Sequence, residues 1–200
     1  MRRRVAVGVT LVVATTLLAG TLRATPGSMS FFLFGLGAAA AWILGAAVSG
    51  PLPLRPLHHT PRQSVPPALG LALLTFVGFW AADVVGHHLP YVSTALHNVL
   101  ARADKGPVVV VVAVALVNGL GEELFFRGAL FAALEGHRPV LSSTVIYVAV
   151  TVATGNIALV AAAAVMGTLF ALQRAHTGSI LASTVTHLGW ATLMLLALPR

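Results

Sequence analysis

Five side chains in this sequence have the types and spacing for hydrolytic chemistry: Glu122, Glu123, Arg127, Thr151 and His187. Three of them fall in one run, Asn118-Gly-Leu-Gly-Glu-Glu-Leu-Phe-Phe-Arg-Gly128, at the end of an apolar stretch that begins at Pro107. Charges in so apolar a segment are expensive, so they face a bundle interior or a wet cavity and mark function. On a helix, Glu123 and Arg127 are i,i+4 neighbours and can pair. Glu122 points about 100° away, on the face of Asn118, with no obvious cation of its own. One glutamate is thus anchored and the other available. An available carboxylate, with a histidine and polar side chains at its depth, can polarise a water for attack on a carbonyl.

The other chemistries are thinner. With no cysteine, disulfides, thiolate metal sites and a cysteine nucleophile are excluded. There is no H-E-x-x-H, and no Ser/His pair has a supporting acid. A divalent ion such as zinc between Glu122 and His187 and a metal-free glutamate mechanism both stay open. The pair His58-His59 sits in a proline-rich loop without a third ligand and reads as no metal site. The bland alternative for the main cluster is structural: Glu123 and Arg127 lock two helices, and His187 is a hydrogen-bonded core histidine.

These groups must be positioned by membrane helices. The chain is 58% hydrophobic and 8% charged, with mean hydropathy +0.92, against about 25% charged in soluble domains. Several apolar runs approach the roughly 20 residues that span a bilayer. The expected fold is therefore all-α, a polytopic bundle of about seven transmembrane helices forming one membrane domain. The net charge of +7 is spread over short loops and points to no nucleic-acid partner. The partners expected are membrane lipid and a membrane-associated peptide or protein.

Taken in order, the first span is expected over 5–22, an uncleaved helix after Arg2-Arg-Arg4 rather than a signal peptide. The second covers 29–48, where Gly35, Gly37, Ala41 and Gly45 offer small faces for close contact. Residues 50–67 hold six prolines and read as a loop. A third span over 68–86 carries Asp83, four residues before His87, an expected hydrogen-bonded pair. A polar connection over 88–106 follows, with a short amphipathic turn around 94–101. The fourth span, if helical over 107–134, would be about 42 Å long, so a bend near Gly119/Gly121 or emergence past Arg127 is expected. The fifth, over 140–154, aligns Thr144, Tyr147, Thr151 and Thr154 on one face. The sixth, over 156–172, repeats Ala163, Gly167 and Ala171 every four residues. The seventh, over 179–198, carries Ser183, Thr184 and His187.

With the N-terminus inside, eight basic residues (Arg2, Arg3, Arg4, Arg55, Arg62, Arg127, Arg138, Arg174) lie on the inner side and four outside. That asymmetry places the N-terminus in the cytoplasm. Depth then follows from the helical rise: Glu122 about 22 Å inward from Pro107, Thr151 about 18 Å and His187 about 12 Å from the inner ends of their spans. The three share the inner half, and the site is expected to open towards the cytoplasm of what reads as a bacterial cell-membrane protein.

Glu122-Glu-Leu-Phe-Phe-Arg127-Gly resembles the E-E-x-x-x-R motif of the CAAX protease and bacteriocin-processing family of intramembrane proteases and their relatives. The approach Thr-Gly-Ser-Ile-Leu-Ala-Ser-Thr-Val-Thr-His187 is similar to that of the family's last histidine. The resemblance covers roughly the C-terminal half, making 107–200 a catalytic helical core and 1–106 additional helices and loops. It implies an endopeptidase cleaving near the cytoplasmic face: Glu122 activates water, Glu123 and Arg127 are the supporting pair, and His187 positions water or a metal. Two positions depart. Thr151, four residues after Tyr147, stands where the family has histidine, and Ala191, four after His187, replaces an Asn or Asp. Thr151, Asn156 and Asn118 are the candidates to substitute. An inactive relative that binds a membrane partner is the second reading. A small transporter relaying protons through Asp83, Glu122 and His187 is the third, though no inverted repeat is evident.

Overall fold

The computed structural model describes residues 2–56, 60–86, 94, 105 and 107–197. Among them are seven helices and no strand: α1 (Arg2–Arg23), α2 (Met29–Ser49), α3 (Pro61–Gly86), α4 (Val108–Ala133), α5 (Pro139–Val152), α6 (Ile157–Thr177) and α7 (Leu181–Ala197). α1, α2, α3, α4 and α6 are long and apolar enough to cross a membrane; α5 and α7 are shorter apolar helices. The protein is a polytopic all-helical membrane bundle. The expected Asp83–His87 pair, the His58-His59 pair and most of the 94–101 turn lie outside the described residues.

Small residues set how closely the helices cross. A Cβ on Gly45 would collide with the Thr10 side chain, so glycine there lets α2 lie against α1. Gly121 sits 3.1 Å, by the same measure, from the Ala39 carbonyl and Trp42, which seats α4 on α2. Above it lies a dry core: Val7 and Ala14 of α1, Trp42 and Ala46 of α2, Phe125, Phe126 and Ala129 of α4, and Val150 of α5. Trp42 meets both phenylalanines, at 4.7 and 5.0 Å between ring centres. α7 is packed by α3, α4 and α6, which makes this short helix the centre of the other half of the bundle.

Two expectations change. Residues 61–67 are helical, not loop, because α3 starts at Pro61. Proline at a first helical position forfeits only an N–H that has no partner anyway. Behind it, Gln63 Oε1 accepts from the Thr60 backbone N–H at 2.9 Å and its hydroxyl at 3.1 Å, part of a capping box. Secondly, where a bend near Gly119/Gly121 or emergence past Arg127 was expected, α4 stays helical past both glycines. It runs on and widens into a π-helical stretch, Glu123–Leu130, before a last turn, Phe131–Ala133. Arg174 of α6 inserts into this stretch: its Nε donates to the Arg127 carbonyl at 3.0 Å, and its guanidinium lies 5.0 Å from the Phe131 ring. Arg174 thus gives one carbonyl of the π-helical stretch a donor from outside the helix.

The ends of the bundle are tied as well. Arg3 donates to the carbonyls of Ser49 and Pro51, joining the start of α1 to the end of α2. The segment after α2 accepts from the turn before α7, through Ile180 N to the Pro53 carbonyl and Ser179 Oγ to the Leu54 carbonyl. Arg2, Arg3, Arg4, Arg55, Arg62, Arg138 and Arg174 therefore gather at one end, called here the arginine-rich end.

Candidate active site

The π-helical stretch carries Glu123 and Arg127 into full burial, at 0% and 1% exposure. Arg127 Nη1 lies 3.3 Å from Glu123 Oε1. Arg127 Nη2 donates to the Gly167 carbonyl at 3.1 Å, and the guanidinium lies against the rings of Tyr147 and Phe170 at 4.7 and 5.0 Å. Gly167 is needed there, since a Cβ would stand 3.0 Å from the Tyr147 ring and 3.7 Å from Arg127 Nη2. The guanidinium is thus held by a carboxylate, a carbonyl and aromatic faces, the environment that suits its planar charge.

His187 comes to the same carboxylate from α7. Its Nδ1–H donates to Glu123 Oε1 at 3.1 Å, and its ring stacks on Phe170 at 4.7 Å. Fixing the proton on Nδ1 leaves the Nε2 lone pair available in the neutral ring. That nitrogen lies on the side of Gly119.

Glu122 is one residue from this cluster but belongs to a different environment. It is partly exposed, and its Oε2 accepts from the Tyr147 hydroxyl at 2.7 Å. It lines a cavity of about 410 Å³ together with His187, Asn118, Gly119 and Asp83. The rest of the wall is mainly alanine, with Phe79, Trp190 and Met194 among its larger side chains. The structure therefore brings Glu122 and His187 onto one cavity and puts Glu123 and Arg127 behind it.

The three candidates to replace the departed family residues are placed differently. Asn118 lines the cavity and spends one amide hydrogen on the Val114 carbonyl at 3.0 Å. Asn156 is the N-cap of α6, its Oδ1 accepting from the Ala158 and Leu159 N–H groups at 2.9 and 3.1 Å. Thr151 is not among the lining residues; its hydroxyl donates to the Tyr147 carbonyl of its own helix at 2.9 Å. Thr144 does the same with Val140 at 2.8 Å, and Thr154 caps the Asn156 N–H at 3.2 Å. Of the polar stripe on α5, Tyr147 is the member that reaches the glutamate. The sequence shows Tyr147 in that stripe and at the aromatic position before Thr151; its long, rigid phenol was the signal.

Glu122 and His187 share the cavity with residues from the last turns of α3, the middle of α4, the first turns of α6 and the second half of α7. Phe125, Phe126, Phe170 and Arg127 are buried.

The model of the type II CAAX prenyl endopeptidase Rce1-like family matches residues 104–193, which hold Glu122, Glu123, Arg127, Tyr147 and His187. This part of the chain is similar to that family. The similarity is, at family level, to CAAX-type intramembrane proteases. No curated protein and no solved structure matches the chain.

Among the described residues, no three of His, Asp and Glu come together in a way that could hold a metal ion. Glu122 and His187 supply two donors on the cavity, and the other nitrogen of His187 and both neighbours in the cluster are committed elsewhere. The donor set falls short of a zinc site of three protein ligands.

Proposed function

We propose that this chain is an intramembrane endopeptidase in which Glu122 activates a water for attack on a peptide bond inside the bundle. The carrying observation is the asymmetry of the two glutamates: Glu123 is consumed by Arg127 and His187, whereas Glu122 stands on a cavity beside a histidine. A water between Glu122 and His187 gives one proton to Glu122 and a hydrogen bond to His187 Nε2, and its oxygen attacks the carbonyl carbon. Glu122 then passes that proton to the leaving nitrogen as the C–N bond breaks, giving an amine and a carboxylic acid that retains the water's second proton until it ionises in solvent. The Tyr147 hydroxyl holds Glu122 in place, and the second amide hydrogen of Asn118 is the donor for the developing oxyanion. The cut falls at the depth of Glu122, a little nearer the arginine-rich end of α4 than its other end.

The inactive-relative reading keeps one specific support. Thr151 is turned into its own helix, and Ala191 offers the cavity only a methyl group. The test is a panel of single-span peptides co-reconstituted with wild type or Glu122→Gln in ¹⁸O-labelled water. The endopeptidase reading expects cleavage by wild type alone, with ¹⁸O in the new carboxylate. If both proteins leave every peptide intact while one peptide still co-purifies with each, the chain binds and does not cut.

A further inference from the structure

α7 is held from two directions. Towards α3 and α6 it is fixed by a hydrogen-bonded stitch: Gln173 Nε2 donates to Thr186 Oγ1 at 2.8 Å, and Thr186 donates to the Ala68 carbonyl at 3.0 Å. Towards α4 it presents His187, whose Nδ1–H meets Glu123 Oε1 at 3.1 Å. Four residues before His187, on the same helix face, lies the fully buried Ser183. Ser183 is not among the residues lining the cavity at Glu122.

The carboxylate that α7 meets is unevenly served. Arg127 Nη1 and His187 Nδ1 both come to Glu123 Oε1. Oε2 is buried as well, and neither of these donors bonds it. An oxygen of a buried carboxylate without a donor is costly. Ser183 has a hydrogen to give. Its Oγ lies 3.0 Å from the Ile180 carbonyl, but that carbonyl already accepts from the Thr184 N–H at 2.9 Å. The same hydroxyl is within reach of the Glu123 carboxylate. A hydroxyl hydrogen rotates to suit its surroundings, and a bond to an ionised oxygen is about twice as strong as one to a neutral carbonyl. Ser183 can leave Ile180 without stranding it, and Glu123 is the acceptor that gains.

We infer that Ser183 is a positioning residue for His187: its hydroxyl donates to Glu123 Oε2, so that α7 grips one carboxylate with two donors a turn apart. The carboxylate plane is then fixed with Oε1 on the His187 Nδ1–H. The purpose of this grip rests on the endopeptidase reading, in which His187 keeps its proton on Nδ1 and offers Nε2 to the water. A carboxylate free to turn lets the ring change tautomer, and a protonated Nε2 cannot accept.

The test reads the ring and needs no turnover. Protein carrying ¹⁵N-labelled histidine is purified in detergent, and the His187 signals are identified by their loss in His187→Gln. At a pH where the ring is neutral, wild type should show mainly the Nδ1–H tautomer. Ser183→Ala should lower the ratio of Nδ1–H to Nε2–H about tenfold. Ser183→Cys, close in shape but a weak donor, should fall between the two, and it decides the matter where the alanine variant does not fold. Thr184→Val is the control, because it removes a neighbouring buried hydroxyl that has no partner among the described residues. It should leave the ratio unchanged. A wild-type ratio in Ser183→Ala, or in Ser183→Cys where that variant alone folds, overturns the assignment. So does an equal fall in Thr184→Val, or a wild type that is mainly Nε2–H. The tautomer ratio answers whether or not any peptide is cut in the ¹⁸O experiment, so the two conclusions fail separately.

Discussion

Glu122 and Glu123 are chemically identical and covalently adjacent, yet they occupy two regions with opposite economies of charge. Around Glu123 one carboxylate oxygen is met by Arg127 at 3.3 Å and the His187 Nδ1–H at 3.1 Å, and aromatic faces cover the guanidinium behind it. Around Glu122 the phenol of Tyr147 answers one oxygen, and the rest of the group meets a cavity walled by alanine. A buried charge is tolerable when it is paired, and breaking one side of such a pair strands the other. A carboxylate on an enclosed cavity can instead exchange its proton with a guest. The difference between the regions is therefore one of purpose, and it separates activity from stability in mutants.

The largest effect expected is on activity. Glu122→Gln removes the base and should abolish peptide cleavage, while its amide still accepts from Tyr147 and folded yield stays near wild type. A denaturation midpoint measured in detergent beside a turnover assay checks this; a large loss of stability would merge the two regions. The next effect is on folding. Arg127→Met should cost about 3–5 kcal/mol by leaving Glu123 buried without its cation, seen as a collapse of monodisperse yield. Adding Glu123→Gln to Arg127→Met should restore much of that loss, because the stranded charge is gone. If the double variant is no better than Arg127→Met alone, the ion pair is not what holds this region.

A smaller effect tests the hinge between the regions. Tyr147 touches both, with its hydroxyl on Glu122 and its ring against Arg127. Tyr147→Phe keeps the ring and removes the hydrogen bond to a charged group, worth about 1.5–3 kcal/mol. Turnover should fall about 10- to 100-fold, with a smaller loss of stability than Arg127→Met causes. A stability loss equal to that of Arg127→Met would show that the phenol serves the packed cluster instead.

How much of this was legible depended on the range of the interaction. The Glu123–Arg127 spacing is a four-residue relation on one helix, and the seven helices follow from long apolar runs; both can be read locally. The start of α3 was hidden by its prolines, which argue for a loop unless Pro61 is recognised as a first helical position with Gln63 capping behind it. The Glu123–His187 bond spans 64 residues and depends on how α7 seats against α4, which no periodicity reports. The Gln173–Thr186–Ala68 stitch was least legible, because it joins three helices far apart in the sequence and is likewise a product of packing.

The smallest expected effect falls on Thr151, the residue that sequence reasoning offered as a stand-in for a histidine. A hydroxyl serves a reaction only if it is both free and aimed at the reacting atoms. That of Thr151 donates to the Tyr147 carbonyl one turn earlier, as threonines in apolar helices commonly do to satisfy themselves. Replacing it with valine keeps the shape and removes a bond that the Tyr147 carbonyl, already in a helix, can forgo. Thr151→Val should therefore change stability by no more than about 0.5 kcal/mol and leave turnover near wild type. Tyr147→Phe, four residues away on the same face, should not be silent. Measuring the two side by side asks whether the polar edge of the cavity lies at Tyr147 or at Thr151. A Thr151→Val enzyme that loses activity while Tyr147→Phe keeps it would move that edge one turn along α5.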